Sequence, residues 1–343
     1  VTDANEIIAR ADAKSGKLHY VKIPHAAAYT PQDRTAGSWT PCTTATAAKF
    51  TAAGYFFAEM LNDVLGVPVG IIDCSWGGSR VESWMSREVL SGYSDIDLTE
   101  EGISRVAQHL RPMVMYNAML RPVAGYTVRG FLWYQGESNV GRYMDYAARL
   151  ADMVSLWRGL WGRDDLPFYY VEIAPFEYGN GKSPYLREAQ CRAQELIPNS
   201  GMICTNDLVE HYEFCNVHPK NKRDVGYRLA FMALNKTYGM KEIACQSPQY
   251  ESMEIRDGKA RIRFKYMDQG FNRMADIRGF EICGADKIFY PADAVVENQF
   301  ALVVSSEKVP EPVAVRYCFR DFQPGNLADT RELPVVPFRT DDF

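Results

Sequence analysis

Residues 1–243 predict an α/β fold on a parallel sheet, and residues 244–343 predict an all-β, sandwich-like unit. Two observations carry this expectation. Through the first 243 residues, short continuous apolar runs alternate with helical patterns, as in βαβ units whose sheet is covered on both faces. Beyond them the pattern becomes alternating apolar and polar, broken by turn residues.

Taken in order, "KLHYVKI" (17–23) is a candidate strand in an otherwise quiet first 45 residues. Residues 46–65 place Phe50, Tyr55, Phe57, Met60, Leu61 and Val64 mostly at helical spacing. "VPVGIIDCS" (67–75) is a buried strand, and "PMVMYNAMLRPV" (112–123) reads as a helix. "YTVRGFLWYQGESN" (126–139) is a second buried strand, followed by an amphipathic helix over 143–161. "LPFYYVEIAPF" (166–176) is a third strand, and Pro184 opens a helix over 184–197. "SGMICTND" (200–207) is a fourth strand, and 218–239 is a helix started by Pro219 and stopped by Gly239. In the second unit, "RDGK" (256–259) signals a hairpin.

The chain carries 38 Lys and Arg against 43 Asp and Glu, a formal net charge of −5, and no basic run of five. Nucleic acid and anionic membranes are therefore not the expected partners. No run of 18 apolar residues occurs, so no membrane span is expected. The eight cysteines form no Cys-x-x-Cys pair and the five histidines no ligand motif, so no metal is expected. No Gly-x-Gly-x-x-Gly follows the first strand, and no nucleotide cofactor is expected either.

In an open α/β sheet, ligands bind beyond the carboxyl ends of the strands. Each buried strand here ends in polar residues: Ser75 to Arg80, Gln135 to Asn139, Glu172 to Glu177, and Asn206-Asp207. "SWGGSR" offers Ser75 as a nucleophile, or Gly77 and Gly78 as backbone donors to an oxyanion, or a plain tight turn. "WYQGESN" offers the Gln135 amide as a further oxyanion donor, with Glu137 holding it or the loop in place. His218, set before Pro219, is placed at a helix N-terminus, where a histidine tends to stay neutral and can accept a proton. His211 reads as exposed.

These segments, with "LREAQ", "NVHPKNKRDVGYRLA", "GFEICGAD", "PADAV", "PVAVRYCF" and "LPVVPFRTD", resemble the sialate O-acetylesterase family of SGNH-type hydrolases from about residue 36 onward. The resemblance implies a flavodoxin-like, three-layer α/β/α hydrolase with an accessory β unit. It implies removal of O-acetyl groups from sialic acids through a serine acyl-enzyme, in a periplasmic or secreted protein. Gly77 with Gly78 and Gln135 would stabilise the oxyanion, and His218 would be the base.

Two positions depart from the family pattern. The family's nucleophile lies in a Gly-Gln-Ser-Asn block upstream of these motifs, and no such block occurs here. The nucleophile is then supplied by an N-terminal segment or subunit outside these residues, or it is lost, leaving a carbohydrate-binding relative. Ser75 is a further, weaker nucleophile candidate. The superfamily's aspartate, three residues before the histidine, is Cys215, so Asp207 and then Glu213 are the substitutes to orient His218, with a backbone carbonyl also possible. Arg80, Arg111 and Arg187 could meet a sialate carboxylate or serve structure alone. Acetylated xylan is the alternative substrate.

Overall fold

The structure, a computed structural model, describes residues 4–343. Its first part is a mixed α/β layer. Strands β1 (Leu18–Lys22), β2 (Thr40–Pro41) and β3 (Val69–Asp73) form one three-stranded sheet in the order β2-β1-β3. Strands β4 (Phe131–Trp133), β5 (Phe168–Val171) and β6 (Ser200–Ile203) form a second, in the order β4-β5-β6. The pairs β1–β3, β4–β5 and β5–β6 are parallel, and only β2 runs antiparallel.

Helices cover both faces. One layer holds α2 (Ala52–Leu65) and α7 (Arg223–Lys236), whose Phe57, Leu61, Leu229 and Met232 pack on Tyr169, Val171 and Ile203. Gly226 lets these two helices meet backbone to backbone, since a Cβ there would sit 2.6 Å from Ala53 O. The other layer holds α5 (Tyr146–Trp161) and α6 (Ser183–Leu196), packed through Leu150, Met153, Trp157 and Leu186 on Trp133, Phe168 and Tyr170. Helix α2 ends where Gly66 takes φ 68°, and α5 where Gly162 takes φ 64°, left-handed positions that glycine occupies without a Cβ penalty. Short helices α1 (Ala4–Ala11), α3 (Arg87–Leu90) and α4 (Glu100–Ser104) lie outside these layers.

Two expected helices differ. Residues 112–123 form a π turn over Tyr116–Leu120 and a 3-10 turn over Arg121–Val123. The segment before it takes its backbone groups: Ala28 N–H donates to Val114 O and Gln32 N–H to Asn117 O, at 3.2 and 2.9 Å. Helix α7 starts at Arg223 rather than Pro219, because residues 213–220 are held in a loop of their own, described below.

The second part is all-β, as its alternation predicts. Strands β7 (Gln249–Arg256), β8 (Lys259–Lys265), β9 (Phe280–Cys283), β10 (Tyr290–Pro291), β11 (Asp293–Glu297), β12 (Ala301–Ser305), β13 (Ala314–Tyr317) and β14 (Phe338–Arg339) build two four-stranded sheets, ordered β11-β12-β8-β7 and β10-β9-β13-β14. Ile262, Phe264, Ile282, Leu302, Val304, Val315 and Phe338 fill the space between them. The "RDGK" hairpin is present, with Asp257 and Gly258 both at positive φ.

The two parts are joined by polar contacts at the sheet's carboxyl edge. Asp321 accepts from the Asn180, Gly181 and Ser183 amides (3.0, 2.8 and 3.1 Å) and from Ser183 Oγ (2.8 Å). Buried Arg187 donates to the Cys318 and Arg320 carbonyls, and Arg339 holds Glu188 at 2.9 and 3.1 Å. Arg187 therefore ties the two parts together and is not placed to meet a substrate.

Candidate active site

The carboxyl ends of β3 and β4 lead into two loops that are stitched together. Ser138 Oγ donates to Gly78 O (2.7 Å), Gln135 Nε2 to Ser79 O (2.9 Å), and Arg80 Nε to Ser138 O (3.3 Å). Fully buried Asn139 accepts from Val81 N–H (3.1 Å) and from Gln135 Nε2 (2.8 Å), and donates to Glu82 Oε2 (2.9 Å). Glu82 is paired in turn with buried Arg149 at 2.6 Å. Gly136 makes the sharp exit from β4 possible. A Cβ there would lie 2.5 Å from Ile173 Cγ2 and 3.0 Å from Gln190 Nε2.

Within this stitch Gln135 is fully bonded. Both of its amide hydrogens are committed, to Ser79 O and Asn139 Oδ1, and its Oε1 accepts from Tyr146 Oη at 3.0 Å. Gln135 thus ties the 75–80 loop to the end of β4. Gly77 and Gly78 remain exposed on that loop, Gly78 at φ 77° with the His109 ring against it.

Ser75 lies at the end of β3 in a different company from a nucleophile's. Its Oγ donates to Asp73 Oδ1 at 2.6 Å and receives Lys22 Nζ at 3.1 Å, and Lys22 also pairs with Asp73 at 2.8 Å. Among the described residues no hydrogen bond joins Ser75 to an imidazole, the group that would take its proton. Beside it, His25 stacks on Trp76 with ring centroids 4.5 Å apart.

His218 stands exposed in the loop before α7. Glu213 organises that loop: its carboxylate accepts from Glu210 N–H (3.1 Å), Lys220 N–H (2.9 Å) and Asn216 Nδ2 (3.3 Å). Asn216 Oδ1 in turn receives the His218 amide at 3.1 Å. Glu213 is therefore spent on the loop. Asp207 is spent too, because Arg228 grips both its oxygens at 2.7 and 2.6 Å. Asp207 is thus paired with the Arg228 guanidinium, and no hydrogen bond joins it to His218 among the described residues.

The carboxylate that shares its surroundings with His218 is Glu137. Burial raises its pKa above the usual carboxylate range, while nearby backbone amides and the charges of His218 and Lys222 act to lower it. Tyr134 and Tyr178 also feel Glu137; burial and the Glu137 charge raise both phenols. The Tyr178 hydroxyl is buried with no hydrogen-bond partner among the described residues. Sequence reasoning gave Glu137 the role of holding the Gln135 amide or the loop in place. Its position two residues past a buried strand was the available signal, but its proximity to His218, 81 residues later, was not readable.

Of the three arginines, Arg111 is committed to Val106 O (3.1 Å) and Tyr29 Oη (2.9 Å). Arg80 gives the stitch only its Nε. Among the described residues no group of three or more His, Cys, Asp or Glu is arranged to hold a metal, and no helix is long and apolar enough to cross a membrane. All eight cysteines are free thiols.

Residues 24–235 match the family model described as carbohydrate esterase, sialic acid-specific acetylesterase. The sialate O-acetylesterase of Mus musculus is 27% identical over 281 residues, covering 69% of this chain and 52% of the mouse protein. That of Homo sapiens is 28% identical over 254 residues, covering 69% and 49%. The chain thus spans about half the length of these curated relatives. A crystal structure of a carbohydrate acetylesterase from Xanthomonas citri superposes with a TM-score of 0.89 at 33% identity, over 100% of this chain and 77% of that one. The chain belongs to the carbohydrate esterase family of sialic acid-specific acetylesterases.

Proposed function

We propose that the protein removes acetyl groups from acetylated sugars, sialic acids first among them, through a serine acyl-enzyme. The observation that carries this reading is the meeting of three strand-end loops at one edge: 75–80, 135–139 and the His218 loop, with Glu137 beside His218.

In this reading the serine comes from a segment of the protein outside these 343 residues, since Ser75 is held by Asp73 and Lys22. His218 takes the serine proton as Oγ attacks the acetyl carbonyl, and returns it to the departing sugar hydroxyl. Water then attacks the acetyl carbonyl as His218 takes its proton; the bond to the serine oxygen breaks, His218 returns the proton to that oxygen, and acetic acid leaves. Glu137, ionised, steadies the imidazolium that forms at each step. The Gly77 and Gly78 amides face the oxyanion. Gln135, Ser138 and Asn139 act through the loop they hold. Arg80, with guanidinium nitrogens beyond its bond to Ser138 O, is the candidate partner for a sialate carboxylate. A periplasmic or secreted location is part of the same proposal and rests on the family likeness alone.

Rates of the protein as its gene encodes it, on O-acetylated sialic acid and on acetylated xylan side by side, test the substrate. A preference for xylan removes the sialate assignment. A serine-directed organophosphonate tests the chemistry: absence of labelling removes the acyl-enzyme and favours a carbohydrate-binding relative.

A further inference from the structure

A groove of about 760 Å³ lies between helix α7 and the second part of the chain, a volume in the range of small-molecule sites. One wall is a single face of α7, where Asp224, Tyr227, Arg228 and Phe231 follow at spacings of three and four residues. The face turned to the sheet carries Val225, Leu229 and Met232, all buried. The other wall is Asn272 with the turn at Arg331 and Glu332. Asp207, after β6, and Asn221, in the loop that carries His218, also line the groove. It therefore opens at the carboxyl edge of the sheet, the edge that holds the candidate active site.

The turn in the second wall is held firmly. One carboxylate oxygen of buried Asp329 accepts from Arg331 N–H and Leu333 N–H, both at 2.9 Å. Asp329 N–H donates to Leu333 O and Thr330 N–H to Gly270 O, both at 3.0 Å. Glu332 takes φ 63°, a left-handed conformation that a residue with a Cβ keeps where its surroundings fix it. Arg331 and Glu332 stand exposed on this turn. Among the described residues the Arg331 guanidinium has no hydrogen bond or ion pair, and the Asn272 side-chain amide has no hydrogen bond. Asn272 is tied through its backbone N–H alone, to Ala328 O at 3.0 Å. A fixed turn that carries an unpaired guanidinium offers its donors to a ligand.

The charges say which ligand. Arg228 neutralises Asp207 at 2.7 and 2.6 Å. Asp224 and Glu332 then stand against Arg331, a near balance that favours neither a phosphate nor a cation. Asn272, Arg331 and Glu332 supply planar donors and acceptors, the groups that pair with neighbouring hydroxyls. Tyr227 and Phe231 supply two partly exposed rings with centroids 6.5 Å apart. The Tyr227 hydroxyl donates to Glu59 Oε2 at 3.2 Å, so its ring rather than its hydroxyl serves the groove. Apolar ring faces beside planar polar groups match a sugar, which is C–H on its faces and hydroxyl at its rim.

We propose that this groove binds neutral sugar units of the chain that carries the acetyl group, holding that chain while its acetylated unit lies at His218. The proposal rests on the proposed function for the acetyl group, not for the sugar.

Calorimetry of the protein as its gene encodes it, with two unacetylated probes, tests the groove apart from the reaction. Xylohexaose is a chain of neutral units from a plant polysaccharide; sialyllactose sets neutral units beside a sialic acid. The expected result is binding of one of them that weakens about 10-fold in Arg331→Ala and in Asn272→Ala, with unfolding curves unchanged. The probe that binds identifies the source of the chain. A parent protein that binds neither probe, or variants that bind as the parent does, overturn the proposal. In turnover, the ratio of kcat/KM on the acetylated form of that probe to kcat/KM on an aryl acetate should fall by the same factor, through KM. An unchanged ratio overturns the groove and leaves the esterase reading standing. Probe binding that the variants weaken, without turnover of any acetate, keeps the groove and removes the esterase.

Discussion

Single residues here divide into those bonded to the scaffold and those left facing solvent at the strand ends. Gln135, Asn139, Glu213 and Asp207 were all plausible functional groups by type, and each has its side-chain polar atoms committed within the protein, while Arg187 is tied through Nη2 to two carbonyls of the second part. Sequence shows what a side chain can donate or accept, but not which partner already holds it. His218 was legible because a histidine before a proline in a polar loop stands out; Glu137 as its neighbour was not. Glu172 makes a testable case of buried charge. It is fully buried, Oε2 accepts from Cys204 Sγ and Thr205 N–H, and Oε1 has no partner among the described residues. Burial raises its pKa, with Arg187 opposing. Ionising it in the folded state then costs stability, a cost absent below the ordinary carboxylate range and complete above the raised value, so stability falls as pH rises through that window. Thermal unfolding of Glu172→Gln should show an advantage over the parent at pH 8 that vanishes at pH 4; an equal difference at both would contradict the assignment.

At the scale of elements, the buried strands and long helices followed from apolar runs and 3.6-residue spacing, because their burial pattern is written locally. The exceptions are segments whose backbone groups are claimed by distant chain: 112–123, held by residues 28 and 32, and the start of α7, displaced by the Glu213-centred loop. The turn at Gly136 is an element fixed by space. An added methyl meets Ile173 and the Gln190 amide, and Gln190 itself bonds Gln135 O and Ile173 N–H. Gly136→Ala should therefore lower stability by about 1–3 kcal/mol, as overpacking does, and loosen the stitch to Gly78. Denaturant unfolding with an unchanged midpoint would show that the turn has room to spare.

For the whole molecule, the change of texture along the chain predicted that an α/β part gives way to an all-β part, and the sheets follow in that order. It did not tell that the sandwich reaches back to shape the site. Asp321, from the second part, collects four hydrogen bonds from residues 180–183, in the segment that carries Tyr178 toward Glu137. Such long-range contacts leave no periodic trace. Asp321→Asn removes acceptor capacity from three amides, that of Ser183 buried, and should cost about 1–3 kcal/mol, read from the denaturant midpoint. A loss confined to the sandwich, with residues 180–183 unchanged in hydrogen exchange, would contradict the tether.

The proposed acyl-transfer site at one edge of this molecule depends on His218. The side chain is exposed and carries no structural bond among the described residues, so its removal should leave the fold intact. Turnover of an aryl acetate by His218→Ala, in the protein as its gene encodes it, is the direct measurement. The expected result is a fall of about 10²–10⁴-fold in kcat with an unchanged unfolding curve. Turnover within a few-fold of the parent would contradict the assignment of His218 as the base.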